Sequence, residues 1–495
     1  MDFSSITAEW SRLLDDLPWE WLLALLAGLH LVIALLAAGH ALLYKRDPRS
    51  ALSWVALCLL FPLAGPILYY LFGINRIRSQ AHRLTTHKPA PRLVGHERGS
   101  MGHTAAAVPA GLAMEMRPFA QVSGRLTSRP ILGGNRLDVL HNGEQAYPAM
   151  LAAIAGARRR VLLASYLFEF DMTGKQFVAA LSAARERGVE VRVLIDGVGE
   201  LYSWPRIGRV LRKAGLPMAR FLPPRLFPPS LSINLRNHRK ILLVDDQEGF
   251  TGGMNVGDRH LVEASRQGTS DLHFRVRGPI LAQLEEIFIN DWTAASDERL
   301  SPICLDLPPL PDGDVCCRCI SDGPNDDLDK IALTLMGAIS AAREEILIIN
   351  PYFLPSREMI ASLQSAALRG VKVCILLPSN NNLPFIHWAT RNLLWELLLY
   401  DVEIRYQPPP FAHTKLFLVD RHYVQLGSAN LDARSLRLNF ELNLESFSAG
   451  FAVPLAEEAW RLYQQSTPVT LDEVDSRPLP VRLRDAFFWL FLPYL

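Results

Sequence analysis

Two stretches of this chain carry the same reactive side chains at the same spacing. Residues 238–255 read HRKILLVDDQEGFTGGMN, and residues 413–430 read HTKLFLVDRHYVQLGSAN. Both fit H-x-K-x4-D-x6-G-[GS]-x-N without a gap. A single H-x-K would say little, because a lone histidine on a strand is usually a satisfied core residue. A gapless duplication of imidazole, ammonium and carboxamide points instead to a matched pair of reactive sites.

The chemistry that suits such a pair is phosphoryl transfer. Neutral imidazole attacks phosphorus well and also works as an acid or base near pH 7. Of His238 and His413, one attacks a phosphodiester and the other protonates the leaving alcohol. The second then deprotonates the incoming alcohol or water. Lys240 and Lys415, with Asn255 and Asn430, would hold the non-bridging oxygens as charge shifts in the transition state. The small residues Gly252–Gly253 and Gly427–Ser428 allow an oxyanion to come close. No metal and no cofactor is required.

A carboxylate behind each imidazole would help to orient it. Asp271 in SDLHFRVRGP and Glu441 in LNFELN lie downstream of the motifs at similar offsets. Asp245 and Asp420 complete the two motifs and count with the catalytic signature. Their odd spacing from the histidines places them off the shared face, beyond the strand end, so a structural hydrogen bond or ion pair is expected there.

Residues i and i+2 of a strand share a face, so each His–Lys pair points one way. The runs Ile241–Val244 and Leu416–Val419 are wholly apolar and predict strands covered on both faces. The repeat extends beyond the motif. AIAGARRRVLLASYLF (153–168) resembles AISAAREEILIINPYFL (338–354), and AARERGVEVRVLI (183–195) resembles AALRGVKVCILL (366–377). Each half reads helix, strand, helix, strand, with Gly188 and Gly370 where a helix-ending glycine is expected. Two α/β halves with facing motifs would share one site.

This arrangement resembles the phospholipase D superfamily. The wider context is similar to bacterial cardiolipin synthases with an N-terminal membrane hairpin, through ALSWVALCLLFPLAGPILYYLFGINRIR, LRNHRKILLVDD, FTGGMN, DLHFRVRGP, NPYFLP, HTKLFLVD and GSANLDARSLRLNFELN. The resemblance implies two pseudo-symmetric phospholipase D-like α/β domains sharing one active site, preceded by a two-helix transmembrane hairpin. It implies His238 as nucleophile, His413 as general acid and base, and Lys240, Lys415, Asn255 and Asn430 as phosphate ligands. Asp271 and Glu441 would orient the histidines. Gly253 departs from the serine that Ser428 supplies in the second half, and Ser270 stands where an arginine is expected before Asp271.

Composition agrees with a membrane enzyme. Of 495 residues, 49% are hydrophobic. The excess is local: Trp21–Leu43 and Ala51–Phe72 are uncharged runs long enough to span a bilayer, and Pro62 and Pro66 predict a kink in the second. His30 and His40 are expected to be packed or interfacial. Arginines after the second run favour a cytoplasmic catalytic part at the bacterial inner membrane. The expected organisation is a hairpin over 1–79, a linker over 80–130, a first domain over 131–300, a linker over 301–327 and a second domain over 328–495. The tail RLRDAFFWLFLPYL reads as an interfacial or buried helix.

The net charge of +1 excludes a strong nucleic-acid footprint. Cys316 and Cys319 have C-x2-C spacing without a second pair, which argues against zinc. The partners expected are the membrane and phospholipids, phosphatidylglycerol and cardiolipin, while oligomeric state is left open. The reaction expected is transfer from one phosphatidylglycerol to another, giving cardiolipin and glycerol. A phospholipase D-type hydrolase, or the use of phosphatidylethanolamine as donor, is the alternative.

Overall fold

The structure, a computed structural model, describes residues 19–45, 47–74, 116–224, 235–263, 268–296, 298–325 and 327–491. It divides into two units, Met1–Ser79 and Gln80–Leu495.

In the first unit one apolar helix, Trp19–Tyr44, runs for 26 residues. At 1.5 Å per residue that is about 39 Å, enough to cross a hydrocarbon core of about 30 Å. The run expected as a second span is not one helix. It forms Pro48–Leu60, capped by the Asp47 side chain, then breaks at 61–63. It resumes as Ala64–Leu68 and a π-helical turn, Tyr69–Gly73. Pro62 sits in the break, where its ring cannot continue the hydrogen-bond ladder. Gly65 lies so close to the preceding helix that a Cβ would fall 2.3 Å from the Leu57 carbonyl oxygen. His40 is packed, with Nδ1 2.7 Å from the Tyr69 hydroxyl.

The second unit is built on strands. The first half supplies β1 (Leu132–His141), β2 (Arg160–Ser165), β3 (Glu190–Asp196), β4 (Met218–Phe221), β5 (Ile241–Val244), β6 (Glu248–Gly252), the short β7 (Thr269–Ser270) and β8 (Leu272–Arg277). The second half supplies β9 (Val315–Asp322), β10 (Glu345–Ile349), β11 (Lys372–Pro378), β12 (Glu403–Gln407), the short β13 (Phe411–Ala412), β14 (Leu416–Val419), β15 (Tyr423–Gly427), β16 (Glu441–Phe447) and β17 (Thr467–Pro468).

One sheet holds nearly all of them, in the order β17-β12-β11-β10-β14-β15-β16-β9-β1-β8-β6-β5-β2-β3-β4. Without β17 the order reads as two equivalent halves meeting at β9 and β1. The apolar runs after the two motifs, β5 and β14, are fully buried inside their halves. Each is flanked by a strand and its antiparallel hairpin partner. Gly188 and Gly370 end their helices at φ +88 and +87, and the next residue donates back to Ala184 and Ala366 respectively. Glycine fits there because a Cβ would strain the left-handed conformation.

Two segments expected as linkers carry fixed elements. Within 80–130, Arg117–Thr127 is a helix, and its Phe119 packs edge-on against Tyr423 of the second half. Its Ser123 hydroxyl donates to buried Glu445 at 3.1 Å. Within 301–327, β9 pairs with both β16 and β1 and so joins the half-sheets. Its three cysteines and unusual Arg318 disguised it. Arg318 is fully buried and is neutralised by Glu445 at 2.5 Å. All six cysteines are unpaired. The tail forms the helix Leu479–Trp489, whose Phe488 and Arg484 pack on Trp388.

Candidate active site

Each motif histidine stands just ahead of its strand, on a lead-in that reaches across to the other half. The His238 amide donates to the Phe440 carbonyl at 2.9 Å, and the Phe440 amide donates to the Arg236 carbonyl at 2.8 Å. On the opposite side β13 pairs with β7, and the His413 amide donates to the Ser270 carbonyl at 2.7 Å. Phe440 and Ser270 immediately precede Glu441 and Asp271. The backbone crossing therefore delivers each histidine to the carboxylate of the other half.

His238 Nδ1 lies 3.1 Å from Glu441 Oε2, and His413 Nδ1 lies 2.8 Å from Asp271 Oδ2. Both carboxylates are essentially inaccessible to solvent. An ionised carboxylate only accepts, so at His238 it fixes the proton on Nδ1 and leaves Nε2 as the basic nitrogen, whereas Nδ1 of His413 is shared between Asp271 and Lys415 Nζ, 2.9 Å away. Burial lowers the affinity of His238 for a second proton, with Glu441 opposing. Burial, with Lys415 and Lys240, lowers that of His413 well below the usual value. Burial pushes Glu441 up, but His238 and Lys240 outweigh it and leave the carboxyl below its usual range. Burial keeps Asp271 raised against the pull of Lys415.

Lys240 Nζ donates to the His238 carbonyl at 2.6 Å, and Lys415 Nζ donates to the His413 carbonyl. Burial brings Lys240 down to about 7 and Lys415 to about 8. The charge of Lys415 acts on His238 and on Lys240, so the two motifs converge on one electrostatic centre.

Asn255 is buried, with Oδ1 accepting from the Leu167 amide at 3.1 Å, which leaves Nδ2 as its donor. Asn430 is also buried, and its Nδ2 donates to Ser435 Oγ at 3.3 Å. Ser428 differs from a phosphate ligand. Its Oγ donates to Glu441 Oε2 at 2.5 Å and accepts from the Leu442 amide at 3.0 Å, so it fixes the acid behind His238. Gly253 holds the matching position behind His413. A Cβ there would lie 2.5 Å from Asp271 Oδ2, so the shorter aspartate side occupies the space a serine would fill.

Asp245 and Asp420, counted above with the catalytic signature, are taken up by backbone contacts. Asp245 accepts the backbone amides of Arg158, Arg159 and Arg160 at 2.7–3.0 Å. Asp420 accepts those of Arg343, Glu344 and Glu345 at 2.8–2.9 Å. Each carboxylate therefore clamps the start of the strand beside its motif, β2 or β10.

Sequence reasoning missed the aromatic walls. The Tyr166 ring sits 5.0 Å from His238, and those of Tyr352 and Phe411 sit 6.2 and 6.0 Å from His413. The two tyrosines hold the same third place in the aligned stretches ASYLF and NPYFL, so the signal was present in the repeat. His260 was also missed. It is buried 6.2 Å from His413, accepts from the Asn255 amide at 3.3 Å, and is kept neutral by burial, which lowers it to about 3. No periodicity singles it out.

Comparison with known proteins places the chain in a family. The family model described as "Cardiolipin synthase, PLD-like domain" matches residues 150–292 and 335–463, and "Phospholipase_D-nuclease N-terminal" matches 32–73. The chain is 33% identical to cardiolipin synthase A of Pseudomonas entomophila, covering 90% of this chain and 93% of that one. It is 30% identical to cardiolipin synthase of Geobacillus kaustophilus, covering 92% and 90%. Among solved structures, phosphatidylserine synthase of Haemophilus influenzae superposes with a TM-score of 0.60 at 15% identity, over 76% of this chain and all of that one. That likeness concerns the fold.

Proposed function

Because this chain belongs to the cardiolipin synthase family of phospholipase D-like enzymes, we propose that its crossed histidine pair carries out phosphatidyl transfer through a phospho-histidine. The chain is a phosphatidyltransferase, and phosphatidylglycerol is both donor and acceptor. His238 Nε2 attacks phosphorus, and the bond to the headgroup glycerol breaks as His413, entering the step in its doubly protonated form, gives its Nε2 proton to the leaving oxygen. His413 then takes the proton of the incoming glycerol hydroxyl, which attacks the phosphatidyl-histidine and frees His238. One phosphodiester replaces another, so the exchange needs no energy input. Lys240, Lys415 and the two asparagines would stabilise the charge on the non-bridging oxygens.

The observation that carries this reading is the pair of buried carboxylate–imidazole contacts, one from each half, at 3.1 and 2.8 Å. The protein is membrane-associated, as its apolar N-terminal helix supports. We read the segment 48–73 as a second, broken membrane element and the catalytic unit as cytoplasmic. The arginines at 76, 78 and 83 favour that side.

The test is an assay of the purified protein in mixed micelles with phosphatidylglycerol alone, with products resolved by mass spectrometry. Cardiolipin with an equal amount of glycerol is expected. Phosphatidic acid without cardiolipin would replace this reading with a phospholipase.

A further inference from the structure

The duplication extends to a residue pair outside the reacting set, and the two members are used differently. Four residues after each motif asparagine stands an arginine: NVGDR ends at Arg259 and NLDAR ends at Arg434. Each bears electrostatically on the aromatic wall of the opposite half. The charge of Arg259 acts on His413 and Tyr352, and that of Arg434 acts on Tyr166 beside His238.

Beside His413 the wall is neutral. Arg259 forms a two-pronged ion pair with Glu169. The Tyr352 hydroxyl donates to Asn382 Oδ1 at 2.7 Å, and Phe411 stands two residues before the histidine. Beside His238 each of these features is replaced. Pro355 takes the sequence place of Glu169, three residues after the tyrosine, so Arg434 loses its carboxylate. The half-buried Arg434 guanidinium and the Tyr166 hydroxyl make no hydrogen bond among the described residues. Arg236 takes the place of Phe411. It is 5% exposed, and its Nε is buried without a partner.

Two acids face this corner, Asp196 toward Arg236 and Asp432 toward Arg434, but among the described residues neither forms a hydrogen bond or close ion pair with its arginine. Asp196 accepts backbone amides from Val198, Gly199 and Asn237, and Asp432 accepts from the Ser435 amide. Two guanidinium groups and a phenol thus keep unused donors around His238, the donor chemistry that suits a phosphate.

We infer that Arg434, Arg236 and Tyr166 bind a second phosphate, the one that the acceptor lipid brings with its glycerol and that does not react. This rests on the transfer reading above. The reacting phosphate is already served by two lysines and two asparagines, and a three-carbon glycerol bridge keeps the second phosphate close by. The corner would therefore select acceptors that already carry a phosphate over water and simple alcohols.

The test compares Arg434→Gln with the unsubstituted full-length protein, phosphatidylglycerol being the donor throughout. Three acceptors are offered: a second phosphatidylglycerol, glycerol 3-phosphate, and isotopically labelled glycerol, which regenerates labelled phosphatidylglycerol. The variant should lose about tenfold or more in kcat/KM toward both phosphate-bearing acceptors, chiefly through KM, and keep glycerol exchange within about twofold. Arg434→Lys should recover part of the loss. Equal losses with all three acceptors would overturn the inference and give Arg434 a role in the donor site or the fold. A loss with the lipid acceptor alone would also overturn it, since the phosphate would not be what is read. If the unsubstituted protein made neither cardiolipin nor labelled phosphatidylglycerol, the transfer reading itself would fail.

Discussion

Glu441 Oε2 lies 3.1 Å from His238 Nδ1, although the two residues belong to different halves of the duplication. Asp271 repays the exchange at His413, 2.8 Å away. Neither half carries a complete histidine–acid pair, so activity requires both halves docked in register. The crossing predicts which variants behave alike. With an activated donor whose leaving group needs no proton, His413→Asn and Asp271→Asn should both still accumulate a phosphatidyl-enzyme slowly. His238→Ala should not, and Glu441→Gln should be slower by about a thousandfold. Mass spectrometry of the trapped protein reads this directly. Label found on His413 would reverse the roles, and Asp271→Asn grouping with His238→Ala would deny the crossing.

Gly253 tests how tightly the acid behind His413 is held. Gly253→Ser restores the sequence symmetry with Ser428 but sets a Cβ 2.5 Å from Asp271 Oδ2. The carboxylate must move off the imidazole. Turnover should drop by about 10- to 100-fold with the melting temperature little changed. A fully active serine variant would mean that the site has slack the structure does not show.

The pH profile follows from the lysines. Burial depresses both, to about 7 for Lys240 and about 8 for Lys415. A depressed ammonium keeps its charge below its pKa and loses it as pH rises. The histidines are lowered from their ordinary 6.5, so neutral His238 is present on the acid side of that value, while the protonated His413 that releases the headgroup is lost as pH rises. For the free enzyme, kcat/KM should therefore be highest near or below neutrality and fall as pH passes through about 7 and about 8. A profile level to pH 10 would show that the lysines stay charged and that this account of the phosphate site is wrong.

Asp245 and Asp420 should act on stability. Each accepts three backbone amides at the start of a core strand. Asp245→Ala leaves those donors without a partner and should cost about 2–4 kcal/mol. The fraction that remains folded should turn over at close to the normal kcat. A large fall in kcat with an unchanged melting temperature would return Asp245 to the reacting set.

The sequence by itself determined the paired chemistry. His238, Lys240, Asn255 and their counterparts are legible because a gapless repeat of reactive types has no packing explanation. It also determined the α/β halves, through apolar runs such as Ile241–Val244, and the helix ends at Gly188 and Gly370. Parity along a strand placed Asp245 and Asp420 off the face of the histidines, although the motif counts them with the catalytic signature. These are local consequences of spacing and side-chain chemistry.

Only the tertiary structure decided the pairing. Asp271 follows His238 in the chain as Glu441 follows His413, and nothing local distinguishes a carboxylate that serves its own half from one that serves the other. The choice comes from backbone hydrogen bonds between Phe440 and His238 and between Ser270 and His413. They form between segments far apart in the chain. The same holds for β9 and the helix Arg117–Thr127, whose polar residues hid them in stretches that read as linkers. Arg318 and Ser123 are polar by type, yet they are buried because each meets Glu445 from a different strand. Such a partner becomes visible only when the sheet is assembled.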